Sequence, residues 1–174
     1  MKLATHNSLS FHRPQWWLIP FNWMAKCQNL TIQQQYERGV RLFDIRIKII
    51  DDKLYSSHGI ATYKVKFPSL FAYLNHQRDC TVRLLLESGD EELFKSYAEN
   101  LPYMYINIRF VGGQRKKDWV KVADLPDFSC TDYYWKHRKW WMIPYPQRYA
   151  KKYNQKNKEF INNDVWSMFD FIDI

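Results

Sequence analysis

The segment Gly39–Gly59 reads GVRLFDIRIKIIDDKLYSSHG and holds two apolar runs that each end in polar groups. In the first run, residues 42–47, side chains alternate between the two faces of a strand, so Asp44 and Arg46 share one face. A carboxylate and a guanidinium at this spacing hold each other charged and in position. Because barrel and open-sheet enzymes present catalytic groups at strand ends, the segment predicts where the chemistry lies.

Two histidines also follow short strand-like runs. His58 comes after Leu54-Tyr55-Ser56-Ser57 and precedes Gly59, whose backbone freedom allows a sharp turn beside the imidazole. His6 ends a very short strand over residues 1–5, within the stretch THNS. One such histidine is usually structural, whereas two of them together with an Asp-x-Arg pair indicate a site.

Strand and helix signals alternate along the rest of the chain. Thr31 and Gln34 form a capping box for a helix that ends near Gly39. The periodicity predicts strands over residues 41–47, 54–57, 81–87 and 105–111, and helices over residues 67–76 and 90–100.

Two further strands bring carboxylates toward the site. The run TVRLLLE, residues 81–87, is nearly all apolar, as in a parallel strand buried on both faces, and it delivers Glu87 at its end. Residues 164–173 predict a last strand that closes the sheet beside the first, so that Asp170 or Asp173 approaches His6.

The chain length limits the architecture. A complete eight-unit barrel typically needs about 250 residues, and this chain has 174. We therefore predict an α/β fold, a compact or truncated TIM-type (β/α) barrel, formed by a single domain over residues 1–174.

Charge and aromatic content point to an anionic and partly apolar partner. The formal net charge is +8, and aromatic residues, among them eight tryptophans, make up 18% of the chain. The segment PQWWLIPFNW, residues 14–23, contains prolines that make an uninterrupted helix unfavourable. It either folds onto one end of the barrel or forms a rim that enters a lipid interface.

A second aromatic segment, WKHRKWWMIPYPQRYAKKY, covers residues 135–153 and interleaves cations with aromatic rings. This pattern is typical of membrane-surface segments and of single-stranded nucleic-acid platforms. Because both segments contain a Trp-Trp pair, we expect the two to pack together at one end of the barrel. The following stretch KKYNQKNKE, residues 151–159, predicts solvated surface or a linker.

The stretch GGQRKK, residues 112–117, places three cations after a glycine pair at a predicted strand end. Such a turn either cradles a phosphate through Arg115, Lys117 and backbone amides or is a solvated basic turn, and it lacks the spacing of a Walker motif.

The cysteines and the N-terminal sequence indicate in which cellular compartment the protein is expected. Cys27, Cys80 and Cys130 are far apart, odd in number and without metal-type spacing, which predicts reduced thiols in the cytosol. The sequence shows no signal-peptide core and no apolar run of about 18 residues. We therefore expect a cytoplasmic protein, released or delivered outside the cell if its substrate is an external lipid.

The motifs THNS, QQQYERGVRLFDIRIK and LYSSHG resemble, in order and spacing, the X-domain signature of phosphatidylinositol-specific phospholipases C, closest to the small bacterial type. The resemblance covers residues 2–60, with weaker agreement at VRLLLES and MFDFID. It implies a phospholipase C-like phosphodiesterase, a phosphorus-oxygen lyase or phosphoric diester hydrolase, that acts on a phosphatidylinositol-type headgroup.

The same resemblance implies roles for five residues. His6 matches the general base that activates the inositol 2-hydroxyl, and His58 matches the general acid that protonates the diacylglycerol oxygen. Arg46 matches the arginine that replaces a metal in bacterial members. Asp44 matches a carboxylate beside the site, and Asp170 matches the C-terminal aspartate that orients the base.

Two positions depart from the bacterial pattern. Asn7 and Glu87 resemble the calcium-dependent eukaryotic type, so an oxygen site for Ca²⁺ or Mg²⁺ built from Asn7, Asp44 and Glu87 stays open. Arg46 opposes it by bringing a positive charge to the same place, and we expect no cofactor. Without a metal, Asn7 and Glu87 join Arg115 and Lys117 as substrate-binding residues.

Two alternatives to a phosphatidylinositol-type phospholipase remain. One is a metal-dependent glycerophosphodiester phosphodiesterase, which shares the barrel and a His/His/carboxylate site. The other is a barrel without catalysis that binds membranes or nucleic acid through its cations and tryptophans. As partners we expect a phospholipid or other phosphodiester and a membrane surface met by the Trp-rich segments, and we expect no nucleic acid.

Overall fold

The computed structural model describes residues 2–114, 117–120, 143, 145–159 and 166–174. Its strands are β1 Leu3–Thr5, β2 Val40–Ile50, β3 Lys53–His58, β4 Ala61–Tyr63, β5 Cys80–Ser88, β6 Ile108–Gln114, β7 Lys117–Val120 and β8 Ser167–Phe169. Its α-helices are α1 Ile32–Glu37, α2 Phe67–Gln77, α3 Glu91–Met104 and α4 Pro146–Lys158, and a 3₁₀ helix covers Trp16–Met24.

Within these residues the strands form one curled, half-barrel sheet. Five neighbouring strands run parallel in the order β8-β1-β2-β5-β6, and β7 continues the sheet antiparallel to β6. Helices lie between successive parallel strands, as in a (β/α) barrel. The predicted α/β class and truncated barrel are confirmed, while the single domain over the whole chain stays a prediction.

Strand β2 has two partners along one of its edges. Its residues 42 and 43 pair with β5 on one side and with β1 on the other, and residues 47 and 48 pair with β5 and with β3. Strands β1 and β3 therefore lie on the same edge of β2. Because β1 runs parallel and β3 antiparallel to β2, the two approach each other end to end, and His6 and His58 arrive at the gap between them.

The two faces of the sheet differ as the alternation predicts. Phe43, Ile45 and Ile47 point toward the helices and belong to the main apolar core with Phe71 of α2 and Phe94 of α3. The opposite face of β2 carries Leu42, Asp44 and Arg46 toward the inside of the half barrel. Burial of the apolar face fixes the register, because a shift by one residue would expose it.

The predicted capping box of α1 is present. The Thr31 side chain accepts from the Gln34 backbone N–H, and the Gln34 side chain accepts from the Thr31 N–H at 3.0 Å. Gly39 follows the helix with a φ of +89°, the left-handed conformation that a helix stop requires.

The structure corrects two predictions in the second half of the chain. Gly112 and Gly113 lie inside β6 instead of in a loop after it. Position 112 requires glycine because a Cβ there would clash with the Leu84 backbone of β5. Residues 151–158 belong to α4 and most of them are exposed, so the linker alternative is wrong and the solvated surface stands. Arg115 lies outside the described residues, and Lys117 begins β7, with its side chain outside the description.

The first aromatic segment forms the 3₁₀ helix through Pro20, a continuous structure that the sequence did not predict. Cys27 and Cys80 are not joined in a disulfide bond, as predicted, and Cys130 lies outside the described residues. So does the second Trp-Trp pair, Trp140 and Trp141, whose packing against the first pair stays a prediction. Among the described helices, none is long and apolar enough to span a membrane.

Candidate active site

His6 is held between the first and last parallel strands. Its backbone N–H donates to Phe169 O of β8 at 3.0 Å, and its Nδ1 lies 2.7 Å from Asp170 Oδ1. On the other side of the ring, Nε2 lies 2.6 Å from Arg46 Nη2. Because a guanidinium only donates hydrogen bonds, Nε2 accepts, and the ring proton sits on Nδ1, which donates to Asp170. His6 therefore presents a basic Nε2 to the interior.

Arg46 lies between two carboxylates and the first histidine. Its Nε donates to Asp44 Oδ2 and its Nη1 to Glu87 Oε1, both at 3.1 Å. Burial alone would lower the pKa of Arg46, but the charges of Asp44 and Glu87 raise it above its ordinary value. The guanidinium therefore stays charged and in position at the centre of the site.

Asp44 is the fully buried anchor of this group. Its carboxylate accepts from Arg46, from Arg83 Nη1 at 3.2 Å and from the Asn7 backbone N–H at 3.1 Å. Burial alone would raise the pKa of Asp44, but the charges of Arg46 and Arg83 and the hydrogen bond from the Asn7 backbone hold it well below its ordinary value. Arg83 comes from β5, in register with Asp44, which adds a second cation to the site.

His58 faces His6 across the gap between β1 and β3. The ring centroids lie 5.2 Å apart with the ring planes at 87°, and His58 Nδ1 lies 2.7 Å from Ala25 O. A carbonyl oxygen only accepts, so Nδ1 of His58 carries a proton. Burial, followed by the charges of His6 and Arg46, lowers the pKa of His58 from 6.5 to about 4. The ring is therefore neutral near pH 7 in the protein alone.

Glu87 ties the His58 strand to Arg46. Its Oε2 accepts from Ser57 Oγ at 3.0 Å and from the Gly59 N–H at 2.9 Å, which flank His58, while Oε1 accepts from Arg46. Burial alone would raise the pKa of Glu87, but the charge of Arg46 and the hydrogen bonds from Arg46 and Ser57 lower it below its ordinary value. The carboxylate thus holds both sides of the gap together.

The oxygen atoms predicted for a hard cation already accept hydrogen bonds. Both oxygens of Asp44 and both oxygens of Glu87 accept from N–H or O–H donors, and Arg46 lies between the two carboxylates. Asn7 is fully buried, and its side-chain amide makes no hydrogen bond within the described residues. This donor set does not fit a calcium or magnesium site.

The structure thus brings together His6, Asp44, Arg46, His58 and Asp170, with Glu87 and Asn7 beside them. Asp170, not Asp173, contacts His6, whereas Asp173 Oδ2 accepts from Asn29. Sequence reasoning gave no role to Arg83 or Cys27. For Arg83 a signal existed, because it shares a strand face with Glu87 four residues away.

This arrangement has the groups that phosphodiester cleavage requires. A proton acceptor held by a carboxylate, a second imidazole across the gap and a fixed guanidinium face a common space. General base, general acid and positive charge are the three functions needed for attack on phosphorus and departure of an alkoxide.

No protein-family model matches the sequence, and a search among curated proteins finds no significant match. Solved structures do match. The phosphatidylinositol-specific phospholipase C of Listeria monocytogenes superposes with a TM-score of 0.73 at 15% identity, covering 98% of this chain and 87% of that protein. Two structures of the Staphylococcus aureus phosphatidylinositol-specific phospholipase C, a mutant and a form containing pentafluoro-Phe, give TM-scores of 0.50 at 19% and 21% identity.

The staphylococcal matches cover 66% of this chain and 47% of those proteins, so this chain spans about half of their length. At these identities the likeness concerns the fold. This likeness in fold agrees with the parallel strands and intervening helices described above and with the motif resemblance at residues 2–60. The chain has the fold of the bacterial phosphatidylinositol-specific phospholipases C.

Proposed function

We propose that this protein cleaves the phosphodiester bond of a phospholipid headgroup of the phosphatidylinositol type. The observation that carries the proposal is the facing pair His6 and His58, 5.2 Å apart, with Arg46 Nη2 2.6 Å from His6. The fold shared with phosphatidylinositol-specific phospholipases C supports the choice of substrate class by analogy.

When substrate binds in the proposed reaction, the inositol 2-hydroxyl replaces Arg46 as the hydrogen-bond donor to Nε2 of His6. Nε2 then takes the proton of this hydroxyl. The hydroxyl oxygen forms a bond to phosphorus, and the bond between phosphorus and the diacylglycerol oxygen breaks. His58 gives a proton to that oxygen, so that diacylglycerol and a 1,2-cyclic phosphate leave. Arg46 stabilises the charge on the pentacoordinate phosphorus.

The low pKa of His58 fits an acid that is charged by its substrate. In the protein alone, His58 is neutral near pH 7 because burial and the neighbouring cations lower its pKa. The negative phosphodiester and the developing alkoxide oppose those cations and favour the imidazolium. His58 then holds its proton where the leaving oxygen needs it.

The aromatic 3₁₀ helix provides a surface for the lipid. Leu18 of this helix packs with Tyr63 of β4, the strand that follows His58, and Trp16 is 81% and Phe21 52% exposed. Tryptophan and phenylalanine on an exposed helix favour the interface of a bilayer, and the net charge of +8 favours an anionic one. We include membrane attachment through this helix in the proposed function.

The test is phosphorus NMR of the protein with phosphatidylinositol vesicles, with and without EDTA. We expect a cyclic inositol phosphate signal that survives EDTA. His6→Ala and His58→Ala should each lower the rate by about 100-fold or more, while His76→Ala, on the exposed end of α2, should not. Full activity in either active-site variant would refute the assignment, and loss of the signal with EDTA would move the reaction to a metal.

A further inference from the structure

Two histidines and a cysteine form a cluster that the proposed reaction does not explain. One ligand atom from each of His6, Cys27 and His58 lies within 4.8 Å of the other two. Cys27, three residues after the 3₁₀ helix, is fully buried, and its backbone N–H donates to Ser10 Oγ at 2.9 Å. A thiol has no part in acid–base cleavage of a phosphodiester.

The spacing within the cluster is that of ligands around a tetrahedral ion. Cys27 Sγ lies 3.7 Å from His58 Nδ1. Two ligands of one tetrahedral Zn²⁺, with bonds of about 2.3 Å to sulfur and about 2.05 Å to nitrogen, lie about 3.6 Å apart. His58 and Cys27 therefore need little movement, and a metal would replace the hydrogen bond from His58 Nδ1 to Ala25 O.

His6 already has the partner that a metal-bound histidine needs. Metal-ligating histidines usually donate their second ring N–H to a carboxylate or carbonyl, which fixes the tautomer and makes the other nitrogen more basic. Asp170 does this for His6 at Nδ1 and leaves Nε2 as the ligand atom. When Nε2 turns to a metal, Arg46 keeps its hydrogen bonds to Asp44 and Glu87.

Arg46 opposes a cation beside His6, but the charged residues near the cluster sum to a net negative charge. Three carboxylates and two guanidiniums surround the cluster, which leaves one net negative charge when both histidines are neutral. A Cys27 thiolate adds a second, and a divalent ion neutralises both. The charged residues are Asp44, Glu87, Asp170, Arg46 and Arg83.

We propose that His6, Cys27 and His58 bind a thiophilic divalent transition-metal ion such as Zn²⁺, with water or a small anion as the fourth ligand. Resting on the proposed function, this ion acts as an inhibitor, because it occupies the two imidazoles that would serve as base and acid. The binding itself is independent of that function. It also differs from the calcium-type site, since it uses none of the carboxylate oxygens.

The test is titration of the purified, reduced protein with Co²⁺, followed by displacement with Zn²⁺. We expect one equivalent of Co²⁺ to produce a thiolate-to-cobalt charge-transfer band in the near ultraviolet, which Zn²⁺ then abolishes. Cys27→Ser should remove the band and weaken Zn²⁺ binding by about 100-fold or more. Cys80→Ser is the matched control, because Cys80 is a buried thiol at the start of β5, and it should keep the band.

Absence of the band in the wild-type protein, or an equal band in Cys27→Ser, would overturn the proposal. His58→Gln, which keeps the thiol, provides a second variant if Cys27→Ser fails to fold, and its Zn²⁺ affinity should fall by about 10-fold or more. An unchanged affinity in a folded His58→Gln would also count against the site. Binding without any phosphodiesterase activity would leave the metal site standing and refute the proposed function alone.

Discussion

Asp170 and His6 lie 164 residues apart in the sequence, and their side chains are joined by a 2.7 Å hydrogen bond between Oδ1 and Nδ1. The pairing of β8 with β1 brings the two together. The carboxylate fixes the Nδ1–H tautomer of His6, so the basic nitrogen points at the gap between β1 and β3.

Asp170→Asn should lower kcat by about 100-fold or more with little change in KM, because an amide no longer enforces the tautomer. Asp173→Asn is the control, since Asp173 contacts Asn29 instead. Nitrogen NMR of the His6 ring should show a changed tautomer in Asp170→Asn alone. An unchanged tautomer of the His6 ring in Asp170→Asn would contradict the positioning role of Asp170.

Glu87→Gln should lower kcat by about 10-fold or more. The amide nitrogen cannot accept a hydrogen bond, so the variant loses either the pair from Ser57 and Gly59 or the one from Arg46. Glu92→Gln, exposed in the first turn of α3, is the control and should keep full activity. Steady-state kinetics measure kcat of both variants. A wild-type kcat in Glu87→Gln would show that Glu87 does not position His58.

Arg83→Met should reduce the free energy of unfolding by about 2 kcal/mol, because it leaves the fully buried Asp44 with one cation fewer. Arg38→Met, exposed at the end of α1, should change it by less than about 0.5 kcal/mol. Urea denaturation measures both. Equal effects of the two substitutions would mean that Arg83 is dispensable for the charge balance.

Trp16→Ala should weaken binding to anionic phospholipid vesicles by about 10-fold to 100-fold, because burial of one large aromatic side chain contributes about 1.5–3 kcal/mol. The control is Tyr103→Ala. Tyr103 is 85% exposed but lies in the last turn of α3, before the amino end of β6, whereas the site lies at the carboxyl ends of the parallel strands. Vesicle sedimentation compares them, and equal binding losses would rule out a specific role of the 3₁₀ helix.

Stability should fall as the pH is lowered from about 6.5 to about 4. In this window the unfolded chain protonates His58, whereas the folded protein does not until its lowered pKa of about 4 is reached. The loss from this group is about 3.5 kcal/mol at most, since each pKa unit corresponds to about 1.4 kcal/mol. Chemical denaturation across this range should show a shallower slope in His58→Gln, and an unchanged slope would contradict the burial effect.

Much of the first half of the chain could be predicted because its signals are local. The alternation in residues 42–47 and the capping box at Thr31 give the strand, the helix and the faces directly. The motif order then predicts that His6, His58 and Arg46 meet. Strand β4 was missed because its three residues are too few for a periodic pattern.

The errors came from contacts that are distant in sequence. Gly112 and Gly113 read as a turn, but the close approach of β5 selects glycine there within a strand. The polar stretch at residues 151–158 indicated solvated surface or a linker, yet it is a helix whose Ala150 and Asn154 are buried, and Asn154 Nδ2 donates to Asp170 O at 2.7 Å. Arg83 and Cys27 gain a role only once folding has placed them beside Asp44 and His58.

The distance between the two histidines is set by the edge of β2 that pairs with both β1 and β3. The pairing of β2 with β1 ends at Phe43 opposite Thr5, and its pairing with β3 begins at Ile47 opposite Ser56. Only residues 44–46 of β2 lie between these two pairings, so their number sets how far apart His6 and His58 stand. Side chains at residues 44–46 can therefore be substituted singly. Inserting or deleting one residue there would change the distance between the histidines and move every later side chain of β2 to the opposite face of the sheet.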